Sequence, residues 1–407
     1  MIAKIGKSEL SGTIKICPSK SIEQRAWAMS ALPGTYIKIT NAGNSDDARA
    51  SKKIAEKLKD INRPDNVFDC GESALCARMY PPIIALHTDN FILNGHGSLT
   101  NRNIRHDLEF YEQNFGWKIS DGGFPISISN AHIYSGKFNI DGSHTSQIIS
   151  GLILALSTLE GGSQISVKNP SSAGYIFLTA GIANETGAKI STEGSDELLK
   201  INIKGNIPFH KESLTVEGDW SNAAFLIAAG LTNGNIKISG LNPNSLQPDR
   251  AIIDEMSMCG ANFNWENDKL IVNKSNIHGF EFDAQNYPDL IPPLCATALH
   301  ADSECKIKGA NRLIGKESNR LEAIVIELGK LGANIKVTEN SLAIQPCKNF
   351  SSATADSHND HRIAMMLSVL GLSSESLTIK GCECVSKSYP DFFKTLKQLG
   401  ARVEIDE

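Results

Sequence analysis

A short strand-like run, closed by Gly or Asn, returns six times along these 407 residues, each time after an apolar helical stretch. The copies are Tyr36-Ile-Lys-Ile-Thr-Asn41, Asn90-Phe-Ile-Leu-Asn-Gly95, Gln164-Ile-Ser-Val-Lys-Asn169, Asn235-Ile-Lys-Ile-Ser-Gly240, Cys305-Lys-Ile-Lys-Gly309 and Leu377-Thr-Ile-Lys-Gly381. Their closing residues (41, 95, 169, 240, 309, 381) are 54, 74, 71, 69 and 72 positions apart. In a second series a glycine opens an alternating strand: Gly116-Trp-Lys-Ile, Gly187-Ala-Lys-Ile, Gly260-Ala-Asn-Phe, Gly332-Ala-Asn-Ile and Gly400-Ala-Arg-Val. Those glycines fall 71, 73, 72 and 68 apart. Two unrelated markers with one period define an internal repeat.

Alternation such as Ile335-Lys-Val337 reads as strand, and the apolar run Ala223–Leu231 reads as buried helix. The unit is therefore helix, strand, helix, Gly-Ala strand and often one more strand. At about 70 residues it exceeds the usual solenoid period, which favours six α/β units gathered into two globular halves. Length points the same way, since 407 residues exceed one ordinary core. The first unit is short, and its register is the least determined.

Composition narrows the function classes. A net charge of −5 with no Lys/Arg-rich run gives no reason to expect nucleic acid. The nine cysteines are scattered without metal-ligand spacing and read as reduced thiols. No metal or organic cofactor is expected. The start lacks the apolar run of a signal peptide, and no stretch approaches the roughly 20 apolar residues of a membrane helix. A cytoplasmic protein with no membrane partner is the expectation.

Polar residues gather where the helices of each unit should begin. First-helix clusters are Ser19-Lys-Ser-Ile-Glu-Gln-Arg25, Glu72-Ser-Ala-Leu-Cys-Ala-Arg78, Thr145-Ser-Gln147, Asp219-Trp-Ser-Asn222, Asp289 and Asp360-His-Arg362. Second-helix clusters are Ser45-Asp-Asp47, Arg102, Ser172 with Tyr175, Gln247 with Asp249 and Arg250, Lys316-Glu-Ser-Asn-Arg320, and Lys387-Ser-Tyr-Pro-Asp391. Helix starts offer unpaired N–H groups and partial positive charge, which suit phosphate and carboxylate. Lys20, Arg25, Arg78, Arg102, Lys316, Arg320, Arg362 and Lys387 there oppose the helix dipole, so they point to an anion site. Some of these residues have plainer readings. Ser45, Asp46 and Asp47 suit N-caps, Ser21-Ile-Glu-Gln24 fits a capping box, and Asp360 and Asp289 also read as helix caps; Lys316 and Arg320, like charges expected on one helix face, read as surface residues offset by an ion pair with Glu317.

The clusters are also familiar. Pro-Ser-Lys-Ser-Ile-Glu-Gln-Arg25 resembles the opening Pro-Gly-Ser-Lys-Ser-x-x-x-Arg of the EPSP synthase family of enolpyruvyl transferases. Lys316-Glu-Ser-Asn-Arg320 is similar to their Lys-Glu-Thr/Ser-Asp-Arg, and Asp360-His-Arg-Ile-Ala-Met to their Asp-His-Arg-Met-Ala-Met. Glu217-Gly-Asp-Trp-Ser-Asn-Ala-Ala, Gln147 after Thr145-Ser146, and Tyr287-Pro-Asp289 also fit in order, so the likeness runs from about Gly12 to Phe393. The resemblance implies a two-domain inside-out α/β barrel of six βαβαββ-like units, three per domain, with a hinge. Crossings near Pro18 and Glu217 give halves 19–217, and 1–18 with 218–407.

The family's activity is transfer of the enolpyruvyl group of phosphoenolpyruvate (PEP) to the 5-hydroxyl of shikimate 3-phosphate, in the shikimate pathway to aromatic amino acids. Carried over by resemblance, Lys20, Ser21, Arg25, Thr145, Ser146, Gln147, Ser172, Tyr175, Asp289 and Lys316 hold shikimate 3-phosphate. Lys20, Ala74, Arg78, Arg102, Gln147, Arg320, His361, Arg362 and Lys387 surround PEP. The reaction is addition, then elimination through a tetrahedral intermediate, with Asp289 as base and Glu317 with Lys20 handling protons at PEP. Closure of the halves would exclude water, and the enzyme is expected to be a monomer.

One segment departs from the pattern. Glu72-Ser-Ala-Leu-Cys-Ala-Arg78 stands where the family usually has Asn-Ala-Gly-Thr-x-x-Arg, so Ala74 replaces a glycine and Leu75 a threonine. The extra methyl leaves less room at PEP, and weak inhibition by bulkier mimics such as glyphosate is expected. Arg312 stands where some members have Asn, so that contact is not carried over. Two rivals remain at this stage: the sister enzyme acting on UDP-N-acetylglucosamine, and a non-catalytic anion-binding paralogue. The sister's reactive cysteine is missing from Gly97-Ser-Leu-Thr-Asn-Arg102.

Overall fold

The recurring run becomes the second strand of a sheet in all six repeats. Phe91–Asn94, Ser163–Lys168, Cys305–Lys308 and Leu377–Lys380 each pair in parallel with the strand preceding them in the chain, whereas Lys38–Thr40 pairs in parallel with Ser213–Thr215 and Gly234–Ser239 with Leu10–Lys15. The computed structural model describes residues 1–206 and 212–406. The closing residue turns the chain out of the strand in left-handed backbone at Asn41, Asn169, Gly240, Gly309 and Gly381. Only glycine, and to a lesser degree asparagine, adopts that conformation readily. Gly95 is the exception in φ; there a Cβ would stand 2.7 Å from Leu99, so the reason for glycine is space. The second series has a helix-ending role: Gly116, Gly187, Gly260, Gly332 and Gly400 all have positive φ, just after a helix and before a strand.

Five repeats build a four-stranded sheet in one order, first-second-fourth-third, with the first pair parallel and the rest antiparallel. In two of these sheets a strand comes from far away in sequence. Leu10–Lys15 supplies the first strand beside Gly234–Ser239, and Ile2–Gly6 lies between Leu377–Lys380 and Arg402–Asp406. The first repeat is reduced to two strands, Lys38–Thr40 and Ser213–Thr215, and no hairpin follows its second helix, Asp46–Lys59. That missing hairpin is the reason for its short spacing.

By contacts the chain forms two compact units, Met1–Ser19 with Glu217–Glu407, and Lys20–Val216. In the first unit the helices Trp220–Asn233, Ile291–Ala298 and His361–Gly371 pack on one another with almost every residue buried. In the second, Gln147–Leu156 packs on Ala74–Met79 and Pro81–Ile84. A helix apolar on all sides needs such an interior place. Second helices such as Asp46–Lys59 and Arg320–Lys330 keep an exposed face, and the sheets lie outside the buried helices. This is an inside-out α/β arrangement. Each unit has its own apolar core. Among the described residues no helix is long and apolar enough to cross a membrane.

Candidate active site

The unit Lys20–Val216 gathers its polar side chains at helix ends. Lys20 opens the helix Lys20–Ser30 and places Nζ 3.0 Å from Asp47, in the first turn of Asp46–Lys59. One turn on, Arg25 is buried. It donates from Nε to Thr179 Oγ1 (2.7 Å), from Nη2 to Ser150 Oγ (3.2 Å) and from Nη1 to the Ser21 carbonyl (2.9 Å), with its guanidinium 5.6 Å from the Tyr175 ring centre. These hydrogen-bond partners are all neutral. Burial lowers the Arg25 pKa to about 10, which still leaves it charged at neutral pH. A buried cation compensated only by neutral groups is costly by itself and suited to an incoming anion.

Gln147 begins its helix, and its side-chain oxygen accepts from Arg78 Nη1 at 2.9 Å; Arg78 Nε is fixed by Asp107 at 2.5 Å. Arg78 occupies the last turn of Ala74–Met79, so it follows the helix dipole rather than opposing it. The Gln147 N–H donates to Thr145 Oγ1 at 3.1 Å, and Ser146, at the N-cap, does not cap with its hydroxyl. Ser172, also an N-cap without a side-chain cap bond, has φ 53°, a strained conformation for a residue other than glycine. Tyr175 lies in the first turn of Ala173–Glu185. Arg102 ends the turn Gly97–Asn101 and lines a cavity of about 310 Å³ with Arg105 and Phe124.

The departing segment has a local logic. Glu72 accepts from both the N–H and the hydroxyl of Ser98 at 2.7 Å, latching the turn that leads to Arg102. Gly97 has φ 57°, and a Cβ there would come 2.4 Å from that carboxyl carbon, so a larger residue would be strained and would push Glu72 off its latch. Ser73 caps the helix that Ala74 opens, and Ala74 is buried. The capping box expected at Ser21-Ile-Glu-Gln24 does not form, because Ser21 is already inside its helix. Gln24 instead donates to Ser73 Oγ at 2.6 Å.

In the other unit Arg320 is the centre of a charge cluster. It is fully buried and meets three carboxylates: Asp360 (Nε to Oδ2, 2.9 Å), Glu317 (2.5 Å) and Asp289 (3.1 Å). Arg362, in the first turn of His361–Gly371, holds the other Asp289 oxygen at 2.9 Å. Burial raises the Asp289 pKa, but Arg362, Lys316 and Arg320 together outweigh it and hold the group well below the usual carboxylate range. The same acids, against burial, raise the Arg320 pKa. Asp360, fully buried, caps the helix by accepting from the Arg362 N–H at 2.9 Å. His361 is buried beside it, and Lys387 donates to the Asn359 carbonyl at 2.9 Å.

Two expected placements are corrected here. Lys316 and Arg320 do not share a helix face, because Asn319 caps the helix at Arg320 and leaves Lys316 in the preceding bend. Lys387 closes the turn Cys382–Lys387 rather than opening the helix Phe392–Gln398. The structure joins Arg320, Asp289, Glu317 and Arg362 in one unit, and Arg25 with Tyr175, and Arg78 with Gln147, in the other.

Residues that partner the cations were not picked out from sequence as site members: Asp47, Asp107, Thr179, Ser150 and Asp360. Asp249 is another, buried with a hydrogen bond from Ser221 Oγ, and pushed up to about pKa 7 by burial and the Asp289 charge. The acids looked like helix caps, as Asp360 indeed is. Only their closeness to a lysine or arginine of another helix end distinguishes Asp47, Asp107 and Asp360.

A family model for EPSP synthase (3-phosphoshikimate 1-carboxyvinyltransferase) matches residues 5–396. The 3-phosphoshikimate 1-carboxyvinyltransferase of Clostridium acetobutylicum is 36% identical, with 98% of this chain and 97% of the relative covered. That of Clostridium novyi is 33% identical, with 98% of each covered. Among solved structures, the EPSP synthase of Acinetobacter baumannii superposes with a TM-score of 0.82 over 100% of both chains at 22% identity, a likeness of fold. Matched by that family model from residue 5 to residue 396, and 36% identical to a relative covered almost end to end, the chain belongs to the EPSP synthase family.

Proposed function

We propose that this enzyme transfers the enolpyruvyl group of PEP to the 5-hydroxyl of shikimate 3-phosphate, releasing phosphate, with Asp289 as the base. The observation that carries the assignment of the base is the double grip on Asp289, one oxygen on Arg320 and the other on Arg362. That grip keeps the carboxylate ionised and therefore able to accept a proton.

The hydroxyl oxygen bonds to the second carbon of PEP while its proton goes to Asp289 and the methylene carbon gains a proton. The resulting tetrahedral intermediate then loses phosphate from that carbon and a proton from the new methyl, leaving the vinyl ether. Glu317, 2.5 Å from Arg320, and Lys20, beside Asp47, are assigned the proton traffic at the methylene. Arg320, Arg362, Arg102, Arg78, Ala74, Gln147, His361 and Lys387 are assigned to PEP, whose phosphate and carboxylate suit guanidinium forks. Arg25, Ser21, Thr145, Ser146, Ser172, Tyr175 and Lys316 are assigned to shikimate 3-phosphate. When PEP engages Arg320 and Arg362 it competes with Asp289 for their charge, which raises the basicity of Asp289 at the moment it is needed.

The nine cysteines are all free thiols, which supports a reducing cytoplasmic setting, and we take the enzyme to act as a monomer. Phosphate release from PEP with shikimate 3-phosphate tests the proposal. Release with that acceptor and none with UDP-N-acetylglucosamine is expected; the reverse pattern, or no release with either, refutes it.

A further inference from the structure

Asp249 is an acid that the scheme above leaves unused. It sits in the short turn Pro248–Arg250, wholly buried against the helix Trp220–Asn233. Ser221 donates to its Oδ2, while its Oδ1 is buried with no hydrogen-bond partner among the described residues. Arg250, on the same turn, reaches Asp254 instead at 3.1 Å. The charges felt at Asp249 come from Asp289 on the turn Pro288–Leu290, Arg362 on the helix His361–Gly371, and Asp219 at the cap of Trp220–Asn233. Two of the three are negative. An ionised carboxylate so placed is costly, and a neutral acid is not.

The neighbouring cluster carries a positive excess without it. Arg320, Arg362, Lys316 and Arg312 face Asp289, Glu317 and Asp360, four cations against three carboxylates. A fourth carboxylate would cancel that excess where, on the function proposed above, PEP must bring phosphate and carboxylate. We propose that Asp249 is a positioning residue that works as the protonated, neutral acid: it anchors Ser221 beside the Asp289 cluster without adding charge, and its ionisation weakens the hold of Arg362 on PEP. Burial, followed by the Asp289 charge, puts that ionisation at about pH 7.

The expected consequence falls on KM more than on kcat. In the intact enzyme, KM for PEP should rise roughly tenfold as Asp249 ionises, the effect of one added charge near a partly buried anion site. Steady-state phosphate release across about pH 6 to 9, for wild type, D249N and S221A, makes the test. D249N keeps the shape without the proton, so its KM for PEP should lose that rise. Ser221 favours the ionised form, so S221A should move the rise to higher pH. A D249N curve parallel to wild type, or one lowered in kcat alike at every pH, overturns the proposal. Should neither variant fold, infrared spectroscopy of wild type decides. A protonated-carboxyl band present at about pH 6 and lost by about pH 8 is expected, and its absence at the lower pH overturns the idea. Wild type that releases no phosphate overturns the function instead, so the two failures are distinct.

Discussion

Asp360 grips Arg320 side-on, Oδ2 at 2.9 Å from Nε and Oδ1 at 3.2 Å from Nη2, with both residues fully buried. The same carboxylate caps the helix that carries Arg362. One acid therefore sets the position of both arginines that hold Asp289.

Removing that acid should be felt as stability first. D360A leaves a buried guanidinium short of its fork and a helix without its cap, a loss on the order of 3–5 kcal/mol. Urea unfolding should show it, and a variant as stable as wild type would contradict the arrangement. R320K keeps the charge but not the planar fork, so its main loss should appear as a KM for PEP raised roughly 10–100-fold.

Asp289→Asn should lower kcat by roughly 10²–10⁴-fold, the usual contribution of a general base, while circular dichroism stays native. A folded D289N with near-normal turnover removes Asp289 from the role of base.

Among the described residues Arg25 hydrogen-bonds only to neutral groups. R25K should therefore raise KM for shikimate 3-phosphate by about 10-fold or more, with KM for PEP changed far less. Equal effects on both substrates would place Arg25 in the scaffold instead.

Ala74 opens a short helix and is buried. Ala74→Gly should cost up to about 1 kcal/mol of stability and tighten inhibition by glyphosate relative to wild type. An unchanged inhibition constant would mean that the methyl does not narrow the PEP pocket.

Asp249 also predicts a pH dependence of stability. Its folded pKa lies near 7 and its ordinary value is 3.8, so between those values the folded state holds a proton that the unfolded state has released. That contribution is complete below the lower value and is lost as pH rises through the upper one. Asp289 acts in the opposite sense and in another window: its depressed pKa stabilises above the ordinary carboxylate range and is lost in strong acid. The thermal midpoint of D249N should therefore fall less than that of wild type between about pH 4 and 8, by on the order of 5 °C.

Much of the fold was legible because the chain needs special residues at fixed points. Left-handed closures demand Gly or Asn at positions such as Asn169 and Gly240, and these mark the period whatever the side chains between them. Long-range pairing left no such mark. Nothing local in Ser213-Leu-Thr215 says that it pairs with Lys38–Thr40, or that Leu10–Lys15 completes a sheet with Gly234–Ser239. At the site, lysines and arginines stood out because helix starts disfavour them. Acids at helix starts look ordinary, so Asp47 and Asp360 had a cap reading, and Asp249 stood only as one member of a polar cluster, until the neighbours at other helix ends were known. Lys316 was misplaced because Lys-Glu-Ser-Asn can prolong a helix, and only the cap at Asn319 shows where this one starts.

The pairing of Ile2 with both Lys380 and Asp406 has a consequence for the order of assembly on the ribosome. Residues 20–216 emerge as one uninterrupted stretch that contains every strand their sheets require. Leu10–Lys15 finds its partner once Gly234–Ser239 appears, but Ile2–Gly6 must wait, its edges open, until Leu377–Lys380 and Arg402–Asp406 have left the exit tunnel. A cell making this enzyme therefore handles a half-finished product whose earliest piece is the last to be sheltered.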